Sequence, residues 1–462
     1  MRAVLTGLRI EFKPMLALAG PVVMAEIGWM TMGIVDIMMV GRLGAEAIGA
    51  VSIGHVVFLA VAIFGVGLLL GLDTEISQAF GGRRMEECHR WLFQGVCLSL
   101  ALSLPLTALL VILLFSLGAF GINPKVLALT PPYLEALIWS LPALLLYTAF
   151  RRYLQALNLA RPVMFALLSA NLVNVAGNWI LIFGNLGAPV MGVRGAGWAT
   201  CISRIYMTLF LFIAIIHYNH EQATGLFRNT AAVELRRMRR LLSLGFPAAL
   251  QVTLEMGVFS LATLLVGQLD PASIAAHQIA LSAASFTFMV PLGVASAGAV
   301  RVGQALGRQD SVGAARSGWT ALFLGASFMV GAGLVFLLFP RTIVEIFTHD
   351  ASVMVTGVSL LFVAAIFQLF DGLQVVATGI LRGTGDTRTP MLCNLVGHWL
   401  LGLPIGYSLC FKTGWGVYGL WIGLSAGLIV VGIVLVYFWN RKVRSLPNAS
   451  SEATFNEDII AR

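Results

Sequence analysis

The feature that most constrains this chain is a series of about twelve apolar blocks, each long enough to cross a lipid bilayer. A helix needs roughly 20 apolar residues to cross a hydrocarbon core of about 30 Å. Apolar residues fill the blocks continuously, whereas a helix with one wet face repeats them every three or four positions. The blocks lie near residues 15–40, 47–78, 92–120, 130–157, 162–184, 192–216, 243–267, 274–304, 317–340, 352–381, 390–411 and 416–439.

The composition agrees with lipid as the solvent of this chain. Of its 462 residues 58% are hydrophobic and 11% are charged, against about 25% charged in soluble domains. The net charge of +8 is spread between the apolar blocks, and no soluble region carries a nucleic-acid-binding element. We therefore predict an all-α polytopic membrane protein whose partner is the bilayer and not a nucleic acid.

The basic residues predict how the chain is oriented. If the N-terminus is cytoplasmic, 23 of the 29 Lys and Arg residues fall in cytoplasmic segments and 5 in outer segments. Cytoplasmic loops of membrane proteins carry such an excess. We expect a multi-pass protein of the bacterial inner membrane with both termini in the cytoplasm.

The two halves of the sequence resemble each other without a gap at an offset of 226 residues. The matched pairs include Pro21 and Pro247, Gly41 and Gly267, Gly67 and Gly293, Gln78 and Gln304, and Gly81 and Gly307. Six spans per half give a parallel repeat with a pseudo-twofold axis along the membrane normal. We predict an N-terminal lobe at 1–216, a linker at 217–242, a C-terminal lobe at 243–440 and a cytoplasmic tail at 441–462.

Three acidic residues, Asp36, Glu255 and Asp371, lie deep within apolar blocks. A carboxylate at the bilayer centre costs about 2.5–3.5 kcal/mol on insertion scales, so stability alone gives no reason to keep it. Each is either a buried hydrogen-bonding group or a site of cation binding and proton exchange. Four other acids are expected nearer the span ends: Glu26, Asp73, Glu75 and Glu135.

Amide side chains accompany these acids. Gln368, Asp371, Gln374 and Thr378 follow spacings of three, three and four and thus share one face of the tenth span. The fifth span carries Asn174 and Asn178, and the eighth carries Gln278. Hydrogen bonds between helices and contact with a ligand both remain open for these amides.

Sequence patterns of enzymes are absent or misplaced. No Gly is followed by Lys, so the chain lacks a phosphate-binding Walker A loop. The five cysteines form no metal-binding pair. We expect no enzyme, no ATP hydrolysis and no cofactor, with an ion gradient as the energy source.

Four motifs together resemble the multidrug and toxic compound extrusion (MATE) family, in its NorM-like bacterial branch. They are DIMMVG at 36–41, AAHQIA at 275–280, RVGQALG at 301–307 and LRGTGD at 381–386. The resemblance implies two six-helix lobes around a central cavity. It also implies export of cationic amphipathic drugs and dyes in exchange for Na⁺ or H⁺ by alternating access, and we expect a monomer.

The resemblance also implies roles for particular residues. Glu255 and Asp371 match the C-lobe acids that bind the coupling cation, with Na⁺ as one possible ligand, or the substrate. Asp36, Asn174 and Asn178 match an N-lobe polar site, to which we add Thr200.

Two departures from the family pattern leave the ion and the ion-binding lobe open. A tyrosine often found before the span-ten acid is Phe367 here, and Asn178 replaces the acid that some members carry in the fifth span. A lipid-linked oligosaccharide flippase of related architecture is the alternative function.

Overall fold

The computed structural model describes residues 2–226 and 232–446, and within them the chain is helical without a β-strand. The last residues of the predicted tail, 447–462, lie outside the described part. The helices of the first half are α1 Arg2–Val40, α2 Ala45–Leu68, α3 Gly71–Gly81, α4 Met85–Ser116, α5 Pro124–Ile138, α6 Leu141–Ala156, α7 Ala160–Phe183 and α8 Val193–Gln222.

The second half repeats this succession of long helices. They are α9 Leu235–Val266, α10 Pro271–Gly307, α11 Ser311–Leu338, α12 Pro340–Glu345, α13 Ala351–Gly383, α14 Arg388–Asn394, α15 Leu403–Tyr407 and α16 Gly416–Arg444. Several of these helices extend beyond the predicted apolar blocks. For example, α9 begins with Leu235 and four arginines before its apolar part.

These helices are consistent with the predicted twelve spans. Ten helical segments in the described residues are individually long and apolar enough to cross a membrane. The eleventh span is the pair α5 and α6, which bends by 46° at a short break just before Pro142. The twelfth is the path 388–412, in which the α-helical segments α14 and α15 alternate with π-helical turns.

Pro404 lies in α15, between the two π-helical turns of 388–412. Pro404 lacks the N–H that an α-helical ladder needs at its position. Glycines also let this span approach α16 closely: a β-carbon on Gly423 would lie 2.3 Å from the Cα of Gly406. The apolar composition of the block predicts a span here but carries no signal for the change of hydrogen-bond register.

The described contacts divide the chain into two compact units. The N-terminal unit holds Met24–Phe80 and Arg84–Ala249, and the C-terminal unit holds Val23 and the residues before it, 81–83, and Leu250 onward. Helices α1 and α9 are therefore each split, after Val23 and after Ala249. These two positions are 226 residues apart, so the split follows the sequence repeat. The lobe and linker boundaries given above stay predictions.

Two of the close helix crossings at glycines, one in each unit, are equivalent in the repeat. In the N-terminal unit a β-carbon on Gly67 would lie 2.5 Å from the Cα of Ala249. In the C-terminal unit a β-carbon on Gly293 would lie 2.9 Å from the Cα of Val23. Gly67 with Gly293, and Val23 with Ala249, are equivalent positions of the two repeats. The leading segment of each repeat thus packs on the second span of the other repeat.

An ion pair accompanies each crossing, and the two pairs have opposite polarity. In the C-terminal unit Arg301 donates to both carboxylate oxygens of Glu11, with its shortest contact at 2.7 Å. In the N-terminal unit Arg240 donates to Glu75 at 2.8 Å. Glu75 and Arg301 are equivalent positions in the repeat, so a carboxylate in one half takes the place of a guanidinium in the other.

Candidate functional site

The first polar cluster lies in the N-terminal unit around Asp36 on α1, and we call it the Asp36 cluster. Asn178 on α7 donates through Nδ2 to Asp36 Oδ1 at 2.6 Å. Thr200 on α8 lies with Oγ1 3.0 Å from Asp36 Oδ2. Asn174, one turn before Asn178, accepts from the same Nδ2 at 3.1 Å. The structure therefore brings together all four residues assigned to the N-lobe site.

One amide oxygen in the Asp36 cluster accepts no hydrogen bond within the described residues. Both N–H groups of the Asn178 amide are engaged, by Asp36 and by Asn174. Asn178 Oδ1 is buried and accepts no hydrogen bond within the described residues. Hard cations take oxygen ligands. The Asp36 carboxylate and the Asn178 carbonyl together provide such oxygens inside an apolar span.

The second polar cluster lies in the C-terminal unit around Glu255 on α9, and we call it the Glu255 cluster. Gln251, one turn earlier on α9, donates through Nε2 to Glu255 Oε2 at 2.7 Å. Gln374 on α13 donates through Nε2 to Glu255 Oε1 at 3.2 Å. Each oxygen of this carboxylate therefore receives one amide donor.

Asp371 lies one helical turn before Gln374 on the same face of α13. Asp371 is only 8% exposed. Within the described residues no hydrogen bond or ion pair reaches its carboxyl group. Burial without a partner disfavours the charged form strongly. Such a carboxyl can release that cost by binding a proton or a metal cation.

The remaining amides of the sequence analysis divide into two groups. Gln368 and Thr378 are buried on the same face of α13 as Asp371, and Gln368 donates to Thr287 Oγ1 at 2.7 Å. Gln278 is exposed on α10 and makes no side-chain hydrogen bond within the described part of the chain. The structure does not join Gln278 to the Glu255 cluster.

Three buried arginines of the N-terminal unit, Arg151, Arg152 and Arg204, were not singled out from the sequence. Arg151 pairs with Glu26, and both side chains are nearly buried. Arg204 donates to Ser140 Oγ at 2.7 Å and lies over the Phe58 ring at 4.5 Å. Their positions in the sequence could have indicated burial, because Arg204 lies within an apolar block and Arg151 lies just before the end of one.

Glu26 lies on α1 within the candidate span Ile10–Leu43. Its expected position near a span end stays a prediction. Arg151 supplies the compensating charge that a nearly buried carboxylate requires.

Comparison with known proteins decides the family. The family model described as MatE matches twice, at residues 21–180 and 247–408. The chain belongs to the MatE family. The two matches begin 226 residues apart, which is the offset of the sequence repeat. This chain is therefore a multi-pass transporter of the multidrug efflux class and not an enzyme.

Curated MatE relatives cover nearly the whole chain. A probable multidrug resistance protein NorM of Mesorhizobium japonicum is 37% identical over 95% of this chain and 96% of its own length. The multidrug resistance protein NorM of Vibrio cholerae is 34% identical over 94% of this chain and 96% of its own length.

Solved MatE structures share the fold. The eukaryotic MATE transporter AtDTX14 superposes with a TM-score of 0.83 at 23% identity, over 95% of this chain and 99% of its own. An outward-facing multidrug resistance MATE family transporter gives a TM-score of 0.83 at 19% identity, over 94% of this chain and 96% of its own.

Proposed function

We propose that this MatE protein exports organic cations, including drugs and dyes, in exchange for Na⁺ or H⁺ by alternating access. The observation that carries the proposal is the Glu255 cluster, in which Asp371 is buried without a protein partner one turn from the amide that binds Glu255. Carboxylates inside a membrane mark ion pathways and proton relays. The curated relatives named as multidrug resistance proteins support the class of substrate.

The two carboxyl groups of the Glu255 cluster take different parts in this proposal. Asp371 binds the coupling proton or Na⁺, because it has no other compensation. Glu255 attracts the cationic substrate and is oriented for it by the amide donors on both its oxygens. Gln374 Oε1 is buried and unpartnered within the described residues and adds an oxygen ligand for Na⁺. The Asp36 cluster contributes a second cation site.

The gradient that drives export must exceed the substrate gradient in free energy. Exchanging one monovalent cation for a monocationic drug moves no net charge, so about 1.4 kcal/mol is gained per tenfold ion gradient. Moving one extra charge adds about 2.3 kcal/mol per 100 mV. The carboxyl groups of Asp36, Glu255 and Asp371 provide sites for a second coupling ion.

The same proposal places the chain in the bacterial inner membrane as a monomer with both termini in the cytoplasm. The excess of basic residues in alternate connecting segments supports this orientation. A lipid-linked oligosaccharide flippase is the alternative, and the MatE match in both halves favours efflux over it.

The test is ethidium export from proteoliposomes that contain the purified protein, with a Na⁺ gradient and a pH gradient imposed separately. Export driven by either gradient supports antiport and identifies the ion. Absence of export under both gradients, with protein shown to be folded, would contradict the proposed function and favour the flippase.

A further inference from the structure

The buried arginines of the N-terminal unit differ in how their charges are compensated. Arg151 forms an ion pair with Glu26, and Arg152 forms one with Asp73. Arg204 on α8 is only 3% exposed and has no ion-pair partner within the described residues. Burial of a charge without a partner is costly, so such a group calls for a functional explanation.

Neutral groups hold the Arg204 guanidinium in place. Its Nη1 donates to the Ser140 hydroxyl at 2.7 Å. Its Cζ lies 4.5 Å from the ring centre of Phe58 and 5.9 Å from that of Trp29. A hydroxyl oxygen and aromatic faces attract a cation but carry no net charge. A guanidinium keeps its proton in proteins, so Arg204 brings a fixed positive charge into this unit.

Arg204 lies close to the Asp36 cluster. It follows Thr200 by one turn of α8, which is about 6 Å along the helix axis. Thr200 itself lies with Oγ1 3.0 Å from Asp36 Oδ2. Asp36 has no ion pair within the described part of the chain, yet its charge and that of Arg204 interact through space. A buried carboxylate and a buried guanidinium are therefore close without touching.

We propose that Arg204 is a specificity-determining residue whose fixed charge biases the Asp36 cluster toward monovalent and against divalent organic cations. The inference rests on the proposed function, in which the Asp36 cluster is a second cation site. Asp36 and Arg204 together carry no net charge. A bound monovalent cation therefore leaves one excess positive charge in the unit, whereas a divalent cation leaves two.

The repulsion between Arg204 and a bound cation is proportional to the charge of that cation. At an effective dielectric constant of about 20, two unit charges about 10 Å apart repel each other by the equivalent of about a tenfold change in affinity. A divalent cation has twice this repulsion energy, so its affinity changes by about a hundredfold. Distortion of the site would not follow the charge of the ligand in this way.

The experiment measures binding of ethidium and propidium, which share one ring system and are monovalent and divalent cations. The full-length protein carries Glu255→Gln with Asp371→Asn, so the carboxylates of the C-terminal unit do not bind the dyes. Arg204→Gln is then added, because glutamine removes the charge and keeps a donor for Ser140. Arg204→Met serves if that variant does not fold. We expect ethidium to bind about tenfold and propidium about a hundredfold more tightly.

The ratio of the propidium affinity to the ethidium affinity is the decisive quantity. Protons and Na⁺ compete with both dyes, so their effect cancels in the ratio. The ratio should rise about tenfold in Arg204→Gln and stay at its starting value in Arg204→Lys, which keeps the charge. Arg194→Gln is the matched control, since it removes an exposed arginine from the first turn of the same helix. It should leave the ratio unchanged.

Three results would overturn the inference. They are an unchanged ratio in Arg204→Gln, an equal rise in Arg204→Lys, and absence of binding of both dyes even after Arg204→Gln. In each case ethidium binding to the wild-type protein still supports the proposed function. Absence of ethidium binding to the folded wild-type protein would remove the proposed function and this inference with it.

Discussion

The Cα of Ala249 lies 2.5 Å from the place that a β-carbon on Gly67 would occupy. Val23 and Gly293, the equivalent residues of the repeat, have the same relationship at 2.9 Å. The contact partners are exchanged between the halves, since each glycine meets the leading segment of the other repeat. The duplication is thus visible in packing as well as in sequence.

Substitution of either crossing glycine by alanine should destabilise the protein by about 1–3 kcal/mol, because the neighbour is backbone and cannot move aside alone. Gly20→Ala is the matched control, since a β-carbon there meets nothing within 4 Å. It should be neutral or stabilising, because alanine favours the helix. Thermal unfolding of Gly67→Ala, Gly293→Ala and Gly20→Ala in detergent tests this. Equal stability of all three would contradict the close crossing.

The two ion pairs of opposite polarity should differ in strength. Arg301 makes two-oxygen contact with Glu11 and is 18% exposed, whereas Arg240 is 55% exposed beside Glu75. Glu11→Gln should therefore cost about 1.5–3 kcal/mol, as for hydrogen bonds to charged groups. Glu75→Gln should cost about 0–1 kcal/mol.

Thermal unfolding measures both losses, with the solvent-exposed Glu86→Gln as control for removing a surface carboxylate. The exchange Glu11→Arg with Arg301→Glu should recover part of the lost stability. A larger loss for Glu75→Gln than for Glu11→Gln would show that exposure does not govern these pairs.

Thr200 is expected to act on cation binding through its hydroxyl group. Its Oγ1 has one proton and two acceptors in reach, Asp36 Oδ2 at 3.0 Å and the Ala196 carbonyl at 3.1 Å. Thr200→Val keeps the volume and removes the donor, which should weaken ethidium binding about tenfold if the bond to Asp36 contributes about 1.4 kcal/mol. Thr200→Ser keeps the donor and should bind like wild type. Equal affinity of the valine and serine variants would exclude this role.

Much of the fold follows from patterns that depend on lipid as solvent. Continuous apolar blocks predicted the twelve spans, and matched glycines and prolines predicted the repeat. The face shared by Gln368, Asp371, Gln374 and Thr378 followed from helical spacing alone. The gathering of Asn174, Asn178 and Thr200 around Asp36 came from family resemblance, because spacing within one helix cannot give contacts between helices.

Other features of the fold depend on contacts between residues far apart in the chain, and a single sequence gives no sign of such contacts. Glu11 and Arg301 are 290 positions apart, and both looked like ordinary charges at span ends. Asn394 stands alone in an apolar block, so its hydrogen bond with Gln374 became visible only when α13 and α14 were placed together. The π-helical turns near Pro404 differ from an α-helix in their hydrogen-bond register. Hydropathy carries no information about that register.

The central claim concerns the carboxyl groups of the Glu255 cluster. Removal of both charges by Glu255→Gln with Asp371→Asn leaves side chains of similar size that still form hydrogen bonds. We therefore expect a folded protein whose gradient-driven export is lost. Glu255→Gln alone should weaken ethidium binding, and Asp371→Asn alone should abolish the response to the ion gradient.

The most direct measurement is ethidium export from proteoliposomes against its own gradient, comparing the wild-type protein with the double variant under the gradient that drives the wild type. The account predicts uphill export by the wild type and none by the double variant at equal amounts of folded protein. Full uphill export by the double variant would contradict the assignment of coupling to Glu255 and Asp371.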